Sequence, residues 1–135
     1  MKKLLSTRYS AGGFNFAMLL LRFGLGVLMM NHGYSKLTNF AEMQSKFMNF
    51  LGLGTTVSLS MVIFAEFFCS LFLIIGLFTR LSTIPLIITM GVALIKAHKM
   101  EIFGDGEHAA LYLVAYFVLL ILGPGKISVD GMAGK

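Results

Sequence analysis

Cysteine and charged residues are scarce in this chain of 135 residues, and each shortage excludes a class of protein. The single cysteine, Cys69, excludes a disulfide framework, a thiol–thiol catalytic pair and a cysteine-rich metal site. Charged residues make up 13% of the chain and hydrophobic residues 57%, whereas soluble chains average about 25% and about 45–50%. This composition excludes a water-soluble monomer and indicates a protein whose solvent is a lipid bilayer.

Four apolar stretches predict four membrane-spanning helices, at about residues 14–32, 56–78, 81–98 and 107–122. A helix rises about 1.5 Å per residue, so about 20 residues cross a hydrocarbon core of about 30 Å. The last two stretches reach that length only if Lys96, His98 and Glu107 lie at the level of the lipid headgroups. We therefore predict an all-α fold, an integral membrane four-helix bundle, in one domain over residues 1–135. Pro85 is expected in the first turn of the third helix, where its missing N–H has little effect.

The segment between the first two predicted spans has an amphipathic pattern. Its apolar residues recur at helical spacing from Phe40 to Leu51, opposite polar ones. Asn39 and Glu42 have the spacing of a capping box. We predict a short interfacial helix here, whereas the glycine-bearing segment from Lys126 to Lys135 is expected to be only partly ordered.

Basic residues near the ends of the spans predict the orientation. The side that holds both termini carries Lys2, Lys3, Arg8, Arg80, Lys126 and Lys135, and the other side carries Lys36, Lys46, Lys96 and Lys99. Because basic residues are enriched on the cytoplasmic side of membrane proteins, both termini are predicted to be cytoplasmic. The net charge of +5 is thus interpreted as a topology signal. We find no nucleic-acid-binding module and predict no nucleic-acid partner.

Arg22 and Glu66 lie near the middle of the first and second predicted spans. A lipid-exposed charge costs at least about 2.5–3.5 kcal/mol there, so such residues face the bundle interior and have partners. We predict that Arg22 and Glu66 pair with each other and are the catalytic candidates. A purely structural ion pair that holds two helices together is the alternative.

One face of the first helix is small and polar. Helical spacing places on it Asn15, Arg22, Gly26, Met29, Gly33 and Lys36. Glycines on such a face usually permit close helix packing, which is the role predicted for Gly26 and Gly33. Cys69 is interpreted as a small buried apolar residue.

Three further polar side chains are candidates for ligand binding. Tyr116 lies deep in the fourth span, and His32 or His98 could join its hydroxyl in contacting a carbonyl or hydroxyl group of a ligand. A solvated histidine at a helix end is the alternative for His32. The loop around His98 also carries His108 and acidic residues, but their spacing matches no motif of known ligand geometry, so we predict no metal site.

Several short motifs follow one another along nearly the whole chain. They are Arg22-x-Gly24-x-Gly26, His32-Gly33-x-x-Lys36-Leu37, Glu66 followed by Gly76-Leu77-Phe78-Thr79-Arg80, Glu107 followed by Tyr112-Leu113, and Gly123-Pro124-Gly125-Lys126-x-Ser128-Val129-Asp130. In order and spacing they resemble the DoxX family of small four-helix bacterial membrane proteins. The resemblance implies a single DoxX-like transmembrane domain in the bacterial inner membrane. It also marks as site residues Arg22, His32, Lys36, Glu66, Arg80 and Glu107.

The resemblance further implies a redox role, because named relatives are subunits of quinol or thiosulfate:quinone oxidoreductases or of redox-defence complexes. This sequence has no Cys-x-x-Cys, no haem-attachment motif and no nucleotide fingerprint. We therefore expect no covalently bound cofactor, and any redox chemistry would need a quinone or a redox partner protein.

Three functions are compatible with these residues. The first is a subunit of a quinone-linked oxidoreductase, in which Arg22 stabilises negative charge on a quinone oxygen and Glu66 exchanges protons with it. The second is a carrier for a small ion or a proton. Four short helices leave little room for a hydrated path, so this function would need a homo-oligomer. The third is a non-catalytic membrane anchor or assembly subunit. The oligomeric state and the partner stay open.

Overall fold

Helices make up most of the structure. The computed structural model describes residues 4–47, 52–97, 103–104 and 106–134. The long helices are α1 (Ala11–Thr38), α3 (Thr55–Ile75), α4 (Thr79–Val92, extended by a π-helical turn at Ala93–Ala97) and α5 (Glu107–Leu122). Two helices of one turn each, α2 (Phe40–Met43) and α6 (Val129–Met132), complete the set, and the described ranges contain no β-strand.

Three of the long helices have the length and composition to cross a membrane: Ala11–Thr38, Thr55–Ile75 and Thr79–Lys96. The fourth, α5, is apolar but has 16 residues, which span about 24 Å. The predicted all-α membrane bundle is thereby confirmed, with shifted boundaries. Helix α1 extends beyond the predicted range of 14–32 at both ends, and α3 ends at Ile75 rather than at residue 78.

Consecutive long helices are antiparallel and pack against each other, and α1 also contacts α5, which closes the bundle. The bundle therefore has two ends. We call the one where α1 ends and α3 begins the Lys36 end, and the one where α3 joins α4 the Arg80 end. The core comprises Met18, Met29, Ala65, Cys69, Leu73, Leu86, Met90, Leu94, Ala109, Tyr116 and Leu119, while many large apolar side chains are exposed, as expected for contact with lipid.

The small polar face predicted for α1 is the face that packs into the bundle. Its buried residues are Met18, Arg22, Gly26, Met29 and Gly33. A Cβ atom at Gly26 would lie 3.0 Å from the backbone oxygen of Ser70, and one at Gly33 would lie 2.7 Å from the backbone nitrogen of Phe67. Both glycines therefore allow close approach of α1 and α3, as predicted.

Three local expectations need correction. Pro85 lies inside α4 rather than in its first turn, because the helix begins at Thr79. The predicted capping box does not form, since the Asn39 side chain donates to the backbone oxygen of Ser35 at 2.9 Å and so closes α1 instead. The interfacial helix is shorter than predicted: α2 ends at Met43 and is followed by turns through Lys46. The rest of the predicted helix, residues 48–51, lies outside the described residues.

Candidate functional site

Glu66 lies inside a local widening of α3. The segment Phe64–Cys69 is π-helical, and the Glu66 side chain is only 3% exposed. Turns of π-helix are rare in proteins, and those that do occur are frequently found at functional sites. A buried carboxylate in such a turn needs a partner, because an isolated charge in an apolar interior is strongly unfavourable.

The partner of Glu66 is Lys36, near the end of α1. The Lys36 Nζ atom lies 2.5 Å from Oε1 and 2.7 Å from Oε2 of Glu66. An ammonium group has three N–H donors, so this geometry leaves donor capacity for another acceptor. The Lys36 side chain is 24% exposed, so the pair is buried on its Glu66 side and accessible on its Lys36 side.

A cavity of about 790 Å³ adjoins this ion pair and extends between α3 and α4. Apolar side chains form most of its wall, and four of them are exposed on the bundle surface: Val57, Met61, Phe64 and Ile88. The hydroxyl groups of Ser58 and Thr89, also in the wall, donate to backbone oxygens of Gly54 and Pro85, at 2.6 and 2.8 Å. The charged groups of this cavity are therefore those of Lys36 and Glu66, and exposed apolar side chains of α3 and α4 form part of its wall.

The predicted pairing of Arg22 with Glu66 is wrong. Arg22 is fully buried, and its guanidinium donates to the backbone oxygens of Leu73 at 3.2 Å, Ile74 at 3.4 Å and Ile127. The reason is the register of the helices. Gly33 lies level with Glu66, and Arg22 lies about 16 Å further along α1 at about 1.5 Å per residue. Arg22 thus connects the end of α3 to the C-terminal segment.

Asp130, which the sequence analysis did not single out as a site residue, completes this connection. Its carboxylate accepts hydrogen bonds from the backbone N–H groups of Phe78 at 3.0 Å and Thr79 at 2.9 Å, and it attracts the charge of Arg22. The backbone nitrogen of Asp130 donates to Gly76 at 2.9 Å. The expectation of a partly ordered C-terminal segment is therefore wrong for the region around α6. The local sequence carries no signal of this contact, because Asp130 stands in a glycine-bearing segment that also holds Lys126 and Ser128.

The other predicted ligand-binding residues do not join the Lys36–Glu66 pair. His32 is exposed and packs edge-on against Tyr112, with ring centroids 6.4 Å apart. Tyr116 is fully buried and stacks on Tyr112 at 6.0 Å. Glu107 is exposed in the first turn of α5. None of these side chains lines the cavity beside the ion pair.

Of the two remaining predicted site residues, one lies far from the Lys36–Glu66 pair and the other lies outside the described residues. Arg80 is exposed at the opposite end of the bundle. His98 lies outside the described residues, as do Glu101 and Asp105 of the same loop. Among the residues that the structure describes, no group of three or more His, Cys, Asp or Glu residues is arranged to hold a metal ion.

A model of the DoxX family matches residues 17–99 of the chain. No curated protein and no solved structure gives a significant match. The matched range includes both members of the ion pair and every residue that lines the cavity beside it.

Proposed function

Because the chain belongs to the DoxX family, a family of membrane proteins, we propose that it binds a quinone or quinol from the bilayer, as a subunit of a quinone-linked membrane oxidoreductase. The observation that carries this proposal is the position of the Lys36–Glu66 pair in the wall of an apolar cavity. The volume of about 790 Å³ falls within the range of about 300–1,000 Å³ that is common for sites of small molecules.

The cavity wall favours a ligand that arrives through the membrane. Val57, Met61 and Phe64 of α3 and Ile88 of α4 are exposed on the bundle surface and also line the cavity. An apolar entrance that faces lipid admits a lipid-soluble molecule without its crossing water. The charged groups that a polar head group meets in this wall are those of the ion pair.

Lys36 and Glu66 supply complementary hydrogen-bonding groups. The Lys36 ammonium donates to a carbonyl oxygen of the head group, which also stabilises negative charge there. The Glu66 carboxylate accepts from a hydroxyl group and holds a proton when one is transferred. Reduction of a quinone to a quinol takes up protons as well as electrons, and a redox partner protein supplies the electrons in this proposal. Lys36 thereby takes the role that the sequence analysis gave to Arg22.

The test is quinone binding by the protein purified from membranes in a mild detergent. Lipids are extracted and their quinone content per protein is measured by mass spectrometry, before and after incubation with a short-tailed quinone. Val92 lines the cavity, whereas Val118 is exposed on α5 and does not line it. We expect Val92→Phe and Glu66→Gln to lower quinone content about tenfold or more and Val118→Phe to leave it unchanged.

A wild-type protein that stays free of quinone after incubation would refute the proposal, as would equal quinone content in all variants. The non-catalytic anchor would then be the better description, with Lys36 and Glu66 as a structural pair. If Glu66→Gln fails to fold, the quinone content of Val92→Phe compared with that of Val118→Phe decides the question, because neither substitution alters a charge.

A further inference from the structure

A separate cavity of about 970 Å³ lies at the Arg80 end of the bundle, away from the Lys36–Glu66 pair. Its wall is formed by the start of α1, the start of α4, the end of α5 and the C-terminal segment. Two of its side chains, Arg80 and Lys126, are cationic and exposed. The proposed quinone site does not use this cavity.

The Arg80 guanidinium lies against the backbone at the end of α5. Gly123 has a φ angle of 83°, and a Cβ atom there would lie 3.2 Å from both Nε and Nη2 of Arg80. The absence of a side chain at Gly123 therefore lets the guanidinium lie against the backbone. Within the part of the chain that the structure describes, Arg80 donates one hydrogen bond, a long one of 3.4 Å to the Ile121 oxygen. Most of its five N–H donors are thus available to a ligand.

Lys126 is positioned by a contact from α1. The backbone N–H of Lys126 donates to Oδ1 of Asn15 at 2.9 Å, which fixes this loop beside the start of α1. The acidic residue in the cavity wall, Asp130, accepts from the N–H groups of Phe78 and Thr79 and faces the charge of Arg22. Its charge is therefore largely balanced within the fold, and the cavity keeps an excess of positive charge.

The rim of the same cavity is apolar and exposed. Phe78, Leu81 and Leu122 line the cavity and are 50%, 65% and 47% exposed. Cationic groups beside apolar side chains at the end of a membrane-spanning bundle match a molecule with an anionic head and hydrocarbon tails. Basic pockets between membrane helices bind anionic lipid head groups in this way.

We propose that this cavity binds an anionic phospholipid, with its phosphate group between Arg80 and Lys126 and its acyl chains against Phe78, Leu81 and Leu122. Arg80 donates from its planar fork to the phosphate oxygens, and Lys126 adds a second positive charge. The site is independent of the proposed quinone site and lies at the opposite end of the bundle.

The experiment measures lipid binding to the purified full chain by native mass spectrometry. Phosphatidylglycerol is titrated against the wild type, Arg80→Gln, Lys126→Gln and the control Lys46→Gln, which removes an exposed positive charge at the Lys36 end. We expect phosphatidylglycerol to bind the wild type more tightly than phosphatidylcholine. Arg80→Gln and Lys126→Gln should each weaken phosphatidylglycerol binding about fivefold, and Lys46→Gln should not.

The proposal is overturned if the two lipids bind equally, if Arg80→Gln and Lys126→Gln bind like the wild type, or if Lys46→Gln weakens binding as much. Displacement of phosphatidylglycerol by millimolar inorganic phosphate would assign the site to free phosphate and also overturn it. If Arg80→Gln does not fold, Lys126→Gln alone decides. Quinone content is measured in parallel, so that a failure at one site is distinguishable from a failure at the other.

Discussion

Gly33 of α1 lies directly against the backbone of Glu66 in α3. A Cβ atom at Gly33 would lie 2.8 Å from the carbonyl carbon of Glu66 and 2.7 Å from the backbone nitrogen of Phe67. The two helices therefore touch at the level of the buried carboxylate. Lys36 follows Gly33 by about one helical turn on the same face, which brings its ammonium group to Glu66.

Replacement of Gly33 by alanine should separate α1 from α3. The added methyl group meets backbone atoms that cannot rotate away, so we expect Gly33→Ala to lower the free energy of unfolding by about 1–3 kcal/mol. The measurement is unfolding in a dodecyl sulfate titration followed by circular dichroism. Gly24→Ala is the control, because a Cβ atom at Gly24 meets nothing within 4 Å. Gly24→Ala should raise helix stability by up to about 1 kcal/mol. Equal destabilisation by Gly33→Ala and Gly24→Ala would contradict the close approach of the helices at Gly33.

Substitution of Arg22 should release the C-terminal segment. Arg22→Met keeps an apolar stem but removes the guanidinium donor from the carbonyl groups of Leu73, Ile74 and Ile127. We expect the free energy of unfolding to fall by about 2–4 kcal/mol, with faster proteolysis of the segment that follows α5. Limited proteolysis with mass spectrometry checks this. Arg8→Met, at an exposed position, serves as control, and an unchanged cleavage rate in Arg22→Met would show that Arg22 does not hold the segment.

Asp130 should stabilise the start of α4 as a capping residue. Asp130→Ala removes both acceptors of the Phe78 and Thr79 N–H groups, and we expect a loss of about 1–2 kcal/mol. Asp130→Asn keeps one acceptor oxygen and should lose less. Amide hydrogen exchange at Phe78 and Thr79 reports the cap directly. Faster exchange is expected in Asp130→Ala than in Asp130→Asn, and Glu107→Ala, at an exposed position, should leave these amides unchanged.

The Tyr116 hydroxyl group has no hydrogen-bond partner among the described residues, although the side chain is fully buried. Removal of a buried hydroxyl without a partner is neutral or favourable, so Tyr116→Phe should leave the free energy of unfolding unchanged or raise it by up to about 1 kcal/mol. It should also leave quinone content unchanged, because Tyr116 does not line the cavity. Tyr34→Phe, an exposed tyrosine, is the control. A clear loss of stability or of quinone in Tyr116→Phe alone would show that the hydroxyl has a ligand.

Helical periodicity predicted the elements of this fold better than it predicted their contacts. The spacing of Gly26 and Gly33 identified the face of α1 that packs into the bundle, because a helix of regular pitch puts such residues on one side. The pairing of Arg22 with Glu66 is wrong because helix ends do not show how two helices are aligned. Counted from the observed ends, Ala11 and Ile75, Arg22 and Glu66 still have similar depths of about 16 and about 14 Å. The contact of Gly33 with the Glu66 backbone sets the actual register, and it places Arg22 beside Leu73 and Ile74 instead.

The contacts that the sequence could not predict are those between distant segments. Asp130 contacts Phe78 and Thr79, 52 and 51 residues away along the chain, and Arg22 contacts Ile127, 105 residues away. Nothing in the local pattern of a glycine-bearing end segment indicates such contacts. The sequence gives part of the information needed for the Lys36–Glu66 pair, because helical spacing places Lys36 on the face of α1 that packs into the bundle. Its identification needed the antiparallel register at Gly33, which only the structure supplies.

The Lys36–Glu66 pair allows stability and ligand binding to be separated. Lys36→Met leaves the buried Glu66 carboxylate without its cation, and we expect it to lower the free energy of unfolding by about 3–5 kcal/mol. The double variant Lys36→Met/Glu66→Met replaces both charges by apolar chains of similar length, which is often neutral or stabilising in buried pairs. Dodecyl sulfate unfolding and quinone content are measured on the single and double variants. If the pair serves a ligand, the double variant recovers stability but not quinone. Recovery of both would mean that the cavity alone holds the quinone and that Lys36 and Glu66 only join α1 to α3.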